Sequence, residues 1–277
     1  ELRPSDIVVM TPKIQEYAPL IHALFGNAPK ERYIPYSISD VSLKESEPIF
    51  EGIISLLNLP ESQFKANDLI ALLQIPEMME RFELDEHQLN LIRFWIQDSD
   101  IRQGLDGEHL QTLHAEEEPH NPQDTHGEKS SDFDWHINSW RWGLERMLLG
   151  YATAESPLLY PSTESKRVDA LAPYPHIEGL DALIIGKLCH FLDLLAKWNQ
   201  RLNRAKKAAD WWPILAEIWH DFFLPTPENS EKLAFVLRFW QEILEGGIGI
   251  GFKEEIPLKN IASLLEFKLL EEKPDQN

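Results

Sequence analysis

Between Ile177 and about Lys207, apolar side chains recur at helical spacing for longer than anywhere else in the chain. Leu180, Leu183, Ile184, Leu188, Phe191, Leu192, Leu195, Trp198 and Leu202 form one continuous stripe. A stripe of that length and width can be buried only by other helices laid against it, so the chain must build a helical body around this segment.

The rest of the sequence supplies those partners. Pro48 fits the first turn of a helix running to Leu59, where its missing N–H costs nothing. Asn67 or Asp68 can cap a short helix ending at Leu73, and Pro76 opens another through Met78 to Phe82. Asp85 caps a helix carrying Leu89, Ile92, Trp95 and Ile96, and Ser139 caps one carrying Trp142, Leu144, Met147 and Leu148 that ends at Gly150. These caps accept from the free N–H groups of the first turn. Asp210 is predicted to cap a helix with Trp212, Leu215, Ile218, Trp219 and Phe222. Thr226-Pro227 starts a helix through Trp240 that stops at Gly246-Gly247, and Leu258 to Leu270 is the last.

Only the opening reads differently. Asp6 to Met10 is a short β-branched run stopped by Thr11-Pro12, Ile14 to Phe25 is an amphipathic helix closed by Gly26-Asn27, and Tyr33 to Ile38 is a second extended stretch with Pro35 suited to an edge. Strand, helix, strand is half of a nucleotide-binding type of sheet. His114 to Asp134 is poor in apolar residues and rich in Pro, His, Ser and acids, so it reads as a flexible surface insertion. Ser156 to Pro175, with four prolines, reads as a second loop.

The formal net charge is -20, from 46 acidic and 26 basic residues. On average such a chain repels DNA, so nucleic-acid contact would need a local basic stripe. Two clusters qualify. Arg141 and Arg146 lie among Trp140 and Trp142, and Arg201, Arg204, Lys206 and Lys207 end the long helical stripe. Aromatics mixed with guanidinium groups suit single strands, whereas cations at a helix end also answer its dipole. Packing and helix-end roles are the simpler readings of both. The chain opens on Glu1, and it reads as a piece of a longer protein. No apolar run approaches the ~20 residues of a membrane span. The single cysteine, Cys189, rules out an internal disulfide or an all-cysteine cluster within this chain and fits a reducing cytoplasm.

No catalytic, cofactor-binding or metal site is predicted. Gly186-Lys187-Leu188 lies within the helical stripe and lacks the phosphate loop's other residues. Gly246, Gly247, Gly249 and Gly251 follow a helix, where a dinucleotide fingerprint must follow a strand. His109, His114, His120 and His126 match no metal-ligand spacing, and Glu164-Ser165-Lys166 has a nuclease-like spacing but sits in the proline-rich loop.

Several long strings, taken in order, carry a resemblance. DIVVMTPKIQEYAPLIHALFG is similar to the start of the second RecA-like domain of superfamily 1 helicases around motif IV. RYIPYSISD, EPIFEGIISLLNLPES and NDLIALLQIP resemble those helicases' passage into the helical 2B insertion. More specifically, VVMTPKIQEYAPLIHALFG, ERYIPYSISD and RWGLERMLLGYA, with the spaced tryptophans, resemble the RecC family, over nearly the whole chain. The related AddB-type subunits hold an iron–sulfur cluster on four cysteines elsewhere in their chains, and the strings favour RecC. The resemblance implies a mainly α fold. Residues 1–41 would be a small α/β remnant of a RecA-like domain, and residues 42–277 a helical bundle like the helicase 2B domain, with its insertion at 114–134. Thr11-Pro12 stands about where active relatives continue to an ATP-contacting arginine. The family therefore implies a non-catalytic, DNA-guiding subunit of an ATP-dependent helicase–nuclease, exodeoxyribonuclease V. RecB and RecD would be its partners and would use the ATP and Mg. A protein-binding scaffold without DNA contact is the rival reading, and the net charge favours it.

Overall fold

In the computed structural model the described residues are 3–11, 14–26, 29, 32–36, 38, 47–117, 136–153, 172–224, 226–249 and 254–271. They contain, in order, α1 (Ile14–Ile21), α2 (Pro48–Leu57), α3 (Ala66–Leu73), α4 (Pro76–Arg81), α5 (Glu86–Asp98), α6 (Gly107–Glu117) and α7 (Trp140–Thr153). Then come α8 (Asp181–Leu202), α9 (Ala208–Trp211), α10 (Ile214–Phe222), α11 (Pro227–Gly249) and α12 (Leu258–Glu271). The fold is mainly α, as the periodicity requires. Among the described residues the only β pairing is an isolated antiparallel bridge, Lys206 to Ile256.

The long stripe becomes the 22-residue α8, which buries Ile184, Leu188, Phe191, Leu192, Leu195, Trp198 and Leu202. Leu180 and Leu183 stay exposed at its start. Helices α5 and α7 and the 3-10 turn Leu59–Glu61 lie along it. On the far side α2 packs against α10 and α12, and α11 packs against α9, α10 and α12. Helix α2 buries seven of its ten residues, including Ile49, Ile53 and Leu56, because helices cover it on more than one side.

Four tryptophans are tied into this core by their indole N–H groups. Trp140 donates to the Phe64 carbonyl at 2.8 Å, Trp211 to that of Ile256 at 2.9 Å, and Trp240 to that of Trp211 at 3.1 Å. Trp198 donates to the Asp221 carboxylate at 2.8 Å. Each bond satisfies a group whose isolation in the core would be costly.

Helix ends follow the sequence in places and depart from it in others. Asp85 caps α5 through Gln88 N at 2.7 Å in a full capping box, and Ser139 and Thr226 accept from Trp142 N and Asn229 N at 3.3 and 3.1 Å. Helix α3 begins after Lys65 instead of at Asn67 or Asp68, and Ala66 N donates to the Arg102 carbonyl. The helix expected from Asp210 is broken into α9 and α10, because Pro213 cannot continue the hydrogen-bond ladder. Trp212 falls in that break and is half-exposed. Helix α7 passes through Gly150 to Thr153, and α11 passes through Gly246-Gly247 to Gly249.

The opening forms no sheet among the described residues. Pro4–Asp6 is a 3-10 turn, so Asp6 is not the start of a strand, and Val9 and Met10 are 84% and 89% exposed. A lone extended segment has no ladder to satisfy its backbone. The expected helix is α1, continued by a π turn at His22–Gly26. The acidic insertion placed at 114–134 is corrected at its start, since α6 runs to Glu117. Residues 118–134 and Glu164-Ser165-Lys166 lie outside the described residues, and so does most of the loop read at Ser156–Pro175.

Lys232 on α11 ties three helices together. Its ammonium reaches Glu47, the residue before α2, at 2.9 Å and Glu77 on α4 at 3.4 Å, and only 17% of its side chain is exposed. Burial opposes the charge, but hydrogen bonds to Glu47 and Glu77 and their negative charges outweigh it and raise the lysine's pKa. A raised value stabilises the fold fully below the unfolded lysine pKa, about 10.4, and that stability is lost as pH rises through the folded value. Lys232→Met is expected to cost about 1–3 kcal/mol at neutral pH by stranding two carboxylates. Melting curves of the two proteins should begin to converge only above the unfolded lysine pKa, about 10.4, and meet at still higher pH. A gap that stays constant with pH would refute the charge-based origin.

Candidate functional site

Three of the six basic residues singled out in the sequence are engaged within the fold. On α7, Arg146 lies over the Trp142 ring at 4.4 Å. Its guanidinium donates to the carbonyls of Ser99 and Ala172, both at 2.9 Å. Ser99 is the C-cap of α5, so Arg146 satisfies a carbonyl that the helix end leaves free. Its own carbonyl accepts from Tyr174 N at 2.9 Å. Burial first, then the neighbouring Asp98, push the Tyr174 phenol's pKa up, so it stays neutral. Arg146 is thus a strut between α5, α7 and the segment 172–177. Arg141, one turn earlier, faces solvent.

The second cluster closes the C-terminal end of α8. Lys206 donates to the carbonyls of Arg201 and Arg204 at 2.6 and 3.1 Å, and its ammonium lies 4.6 Å from the Trp211 ring centre. Burial, with help from Arg201 and Arg204, lowers its pKa. Arg201 pairs with Glu217 on α10 and stacks over Trp198 at 4.6 Å. Lys207 is the N-cap of α9, and it and Arg204 face solvent. The two clusters share no contact residue. The first braces Ser99, Ala172 and Tyr174; the second braces α10 and the α8 end.

Sequence reasoning missed a groove between α8, α10 and α11, with a volume of about 810 Å³. Lys197 and Arg201 form one wall, Arg238 and Gln241 the other, and Trp212, Ala216 and Leu237 line it between them. The signal was present only as separate helix faces, since its residues come from three elements.

The remaining motifs resolve simply. Lys187 lies mid-helix in α8 and donates to the Glu83 carbonyl at 2.5 Å. His109 stands edge-on to Phe64 at 5.1 Å and its Nδ1 accepts from Leu105 N at 3.4 Å. Cys189 is half-buried against the core, and burial, then Asp193, raise its thiol pKa. Among the described residues no group of three or more His, Cys, Asp or Glu is placed to hold a metal, and no helix is long and apolar enough to cross a membrane.

Comparison with known proteins decides what this helical body is. The family described as the RecBCD enzyme subunit RecC fourth domain matches residues 46–273. The chain belongs to the RecC family. It is 34% identical to the RecBCD enzyme subunit RecC of Escherichia coli (strain K12) over 275 residues, which is 99% of this chain and 22% of that protein. Against the Haemophilus influenzae RecC it is 32% identical over 269 residues, 97% of this chain and 21% of that protein. Against the Mycobacterium tuberculosis (strain H37Rv) RecC it is 28% identical over 222 residues, 78% of this chain and 18% of that protein. The chain therefore spans about a fifth of the length of these RecC relatives. The family match begins at residue 46, just before α2, so it coincides with the helical body and leaves α1 outside it.

Proposed function

We propose that this chain is a non-catalytic structural domain of a RecC-type subunit, placed in an ATP-dependent helicase–nuclease of exodeoxyribonuclease V type. In that assembly it helps guide DNA during double-strand break repair and homologous recombination in the cytoplasm. Subunits of RecB and RecD type are its partners and use the ATP and Mg, and single-stranded DNA and duplex ends are the substrates of the whole. The helical body then corresponds to a 2B-like domain and residues 1–41 to a piece of a RecA-like domain. The observation that carries this reading is the match of residues 46–273 to the RecC fourth domain.

A second reading, a helical scaffold for protein partners with no DNA contact, is favoured by one specific observation. Arg146, Arg201 and Lys206 are committed to internal carbonyls and carboxylates, in a chain of net charge -20. Arg141, Arg204 and Lys207 are the members of the two clusters that remain for phosphates.

Fluorescence anisotropy with a labelled oligothymidylate, across a salt series, separates the readings. For DNA guiding, the chain binds at low salt, and Arg141→Glu/Arg204→Glu/Lys207→Glu weakens binding and flattens the log–log salt slope by roughly 2, about 0.7 per lost single-strand phosphate contact. Absence of binding at low salt, or a slope unchanged in the triple variant, would leave the scaffold reading in place.

A further inference from the structure

We propose that the groove between α8, α10 and α11 is a docking site for a partner-protein segment that presents an apolar side chain beside a carboxylate. The charge pattern selects that ligand. The groove carries two carboxylates, and each is already engaged. Glu217 pairs with Arg201, while Asp221 accepts from the Trp198 indole at 2.8 Å and lies 3.6 Å from Lys197. Arg238, on the opposite wall, has no carboxylate within 4.0 Å among the described residues. Glu242, one turn on, feels its charge but is bound by Lys268 at 2.6 Å, so Arg238 is the groove's surplus cation.

Arg238 is also held in place. Its guanidinium carbon lies 5.1 Å from the ring centres of both Phe235 and Phe239, and those rings meet edge to face at 4.8 Å. A cation fixed before binding loses little side-chain entropy when a carboxylate arrives. Beside it the groove is largely apolar and open to solvent. Ala216 and Ala234 have side chains too short to fill the space between their helices, and Leu237 and the half-exposed Trp212 line it. About 810 Å³ accommodates an aromatic or branched side chain with the backbone that carries it.

Nucleic acid fits the same groove poorly. A phosphate chain passing Arg238 would meet Glu217 and Asp221 within the groove, with one uncompensated cation against several phosphates. A protein segment needs only one carboxylate and an apolar anchor, which is what the site supplies. This inference does not depend on whether the solvent-facing Arg141, Arg204 and Lys207 touch DNA.

The test uses the 277-residue chain labelled with 5-fluorotryptophan, followed by fluorine NMR. The Trp212 signal among the nine tryptophans is identified by its loss in Trp212→Phe. The probes are the capped dipeptides acetyl-Glu-Phe-amide and acetyl-Gln-Phe-amide. The expected result is a millimolar-range shift of Trp212 by the glutamyl peptide, about fivefold weaker binding of the glutaminyl peptide, and loss of that difference in Arg238→Gln. The other tryptophan signals show whether Arg238→Gln keeps the fold. If it does not, the comparison of the two peptides on the unaltered chain decides. No shift at Trp212, equal affinity for the two peptides, or a preference surviving in a folded Arg238→Gln would overturn the proposal. So would an octathymidylate that moves Trp212 at lower concentration than the glutamyl peptide.

Discussion

Gly150→Ala is expected to destabilise the chain by about 2–4 kcal/mol, although alanine is the better helix former by ~1 kcal/mol. The two effects have opposite signs, and the geometry decides between them. Gly150 sits inside α7, and a Cβ built there would lie 1.7 Å from the Tyr174 carbonyl oxygen and 2.7 Å from its carbon. Those are backbone atoms, and they cannot rotate away. Tyr174 is 2% exposed, its N–H is bound to the Arg146 carbonyl at 2.9 Å, and Arg146 grips Ala172. Relief requires moving α7 away from residues 172–177 as a whole. Urea unfolding should show a lower midpoint with an unchanged slope. A midpoint equal to or above that of the parent would mean that the close approach is not a constraint.

Trp211→Ala should be at least as costly, about 3–5 kcal/mol, because three interactions converge on one fully buried side chain and its neighbourhood. The indole fills the core, donates to the Ile256 carbonyl at 2.9 Å and carries the Lys206 ammonium over its face. Its backbone carbonyl takes the Trp240 indole at 3.1 Å, so a cavity here also loosens a second tryptophan. Trp211→Phe keeps most of the volume and removes the shorter of two bonds to the Ile256 carbonyl, which still accepts from Lys206 N at 3.4 Å, for a loss of about 0.5–1.5 kcal/mol. Chemical denaturation of both variants checks the order. If the phenylalanine variant matches the alanine one, the hydrogen bond matters more than the packing.

Much of the helical body was legible in the sequence because its helices are built by burial. The stripe through Leu188, Leu195 and Trp198 faces the core as its spacing demanded, and Pro48, Pro76, Asp85, Ser139 and Thr226 mark real helix starts. Helix ends were harder to read. Helices α4 and α5 both end in a left-handed turn, with Leu84 N bonded to Met79 O and Ile101 N to Ile96 O. The residues at positive φ are Glu83 and Asp100, not glycine, so the usual compositional mark is missing. Conversely Gly150 looked like a stop and is a point of close approach. Pro213 carried a readable break that Asp210 overshadowed. The opening was misleading because β-branched runs report a wish for a sheet, and the partner strands are not within the described residues. Arg146 and Lys206 were visible in the sequence only as concentrated charge. Their partners, however, are carbonyls of distant segments, which only the tertiary fold brings within reach.

Helix α2 is pressed against α12, and Lys259 reaches back to Glu61 at 2.7 Å. The body matched from residue 46 onward therefore closes on itself, its opening helix α2 against α12. As the chain leaves the ribosome, α2 can meet α10 first, and the flank that α12 covers stays open until α12 has been made, so the domain completes itself late. Partial products would leave that flank open to chaperones or to one another. A body whose entry and exit lie side by side can, however, hang from a larger protein like a bracket. It can then move as a rigid unit without pulling its host apart.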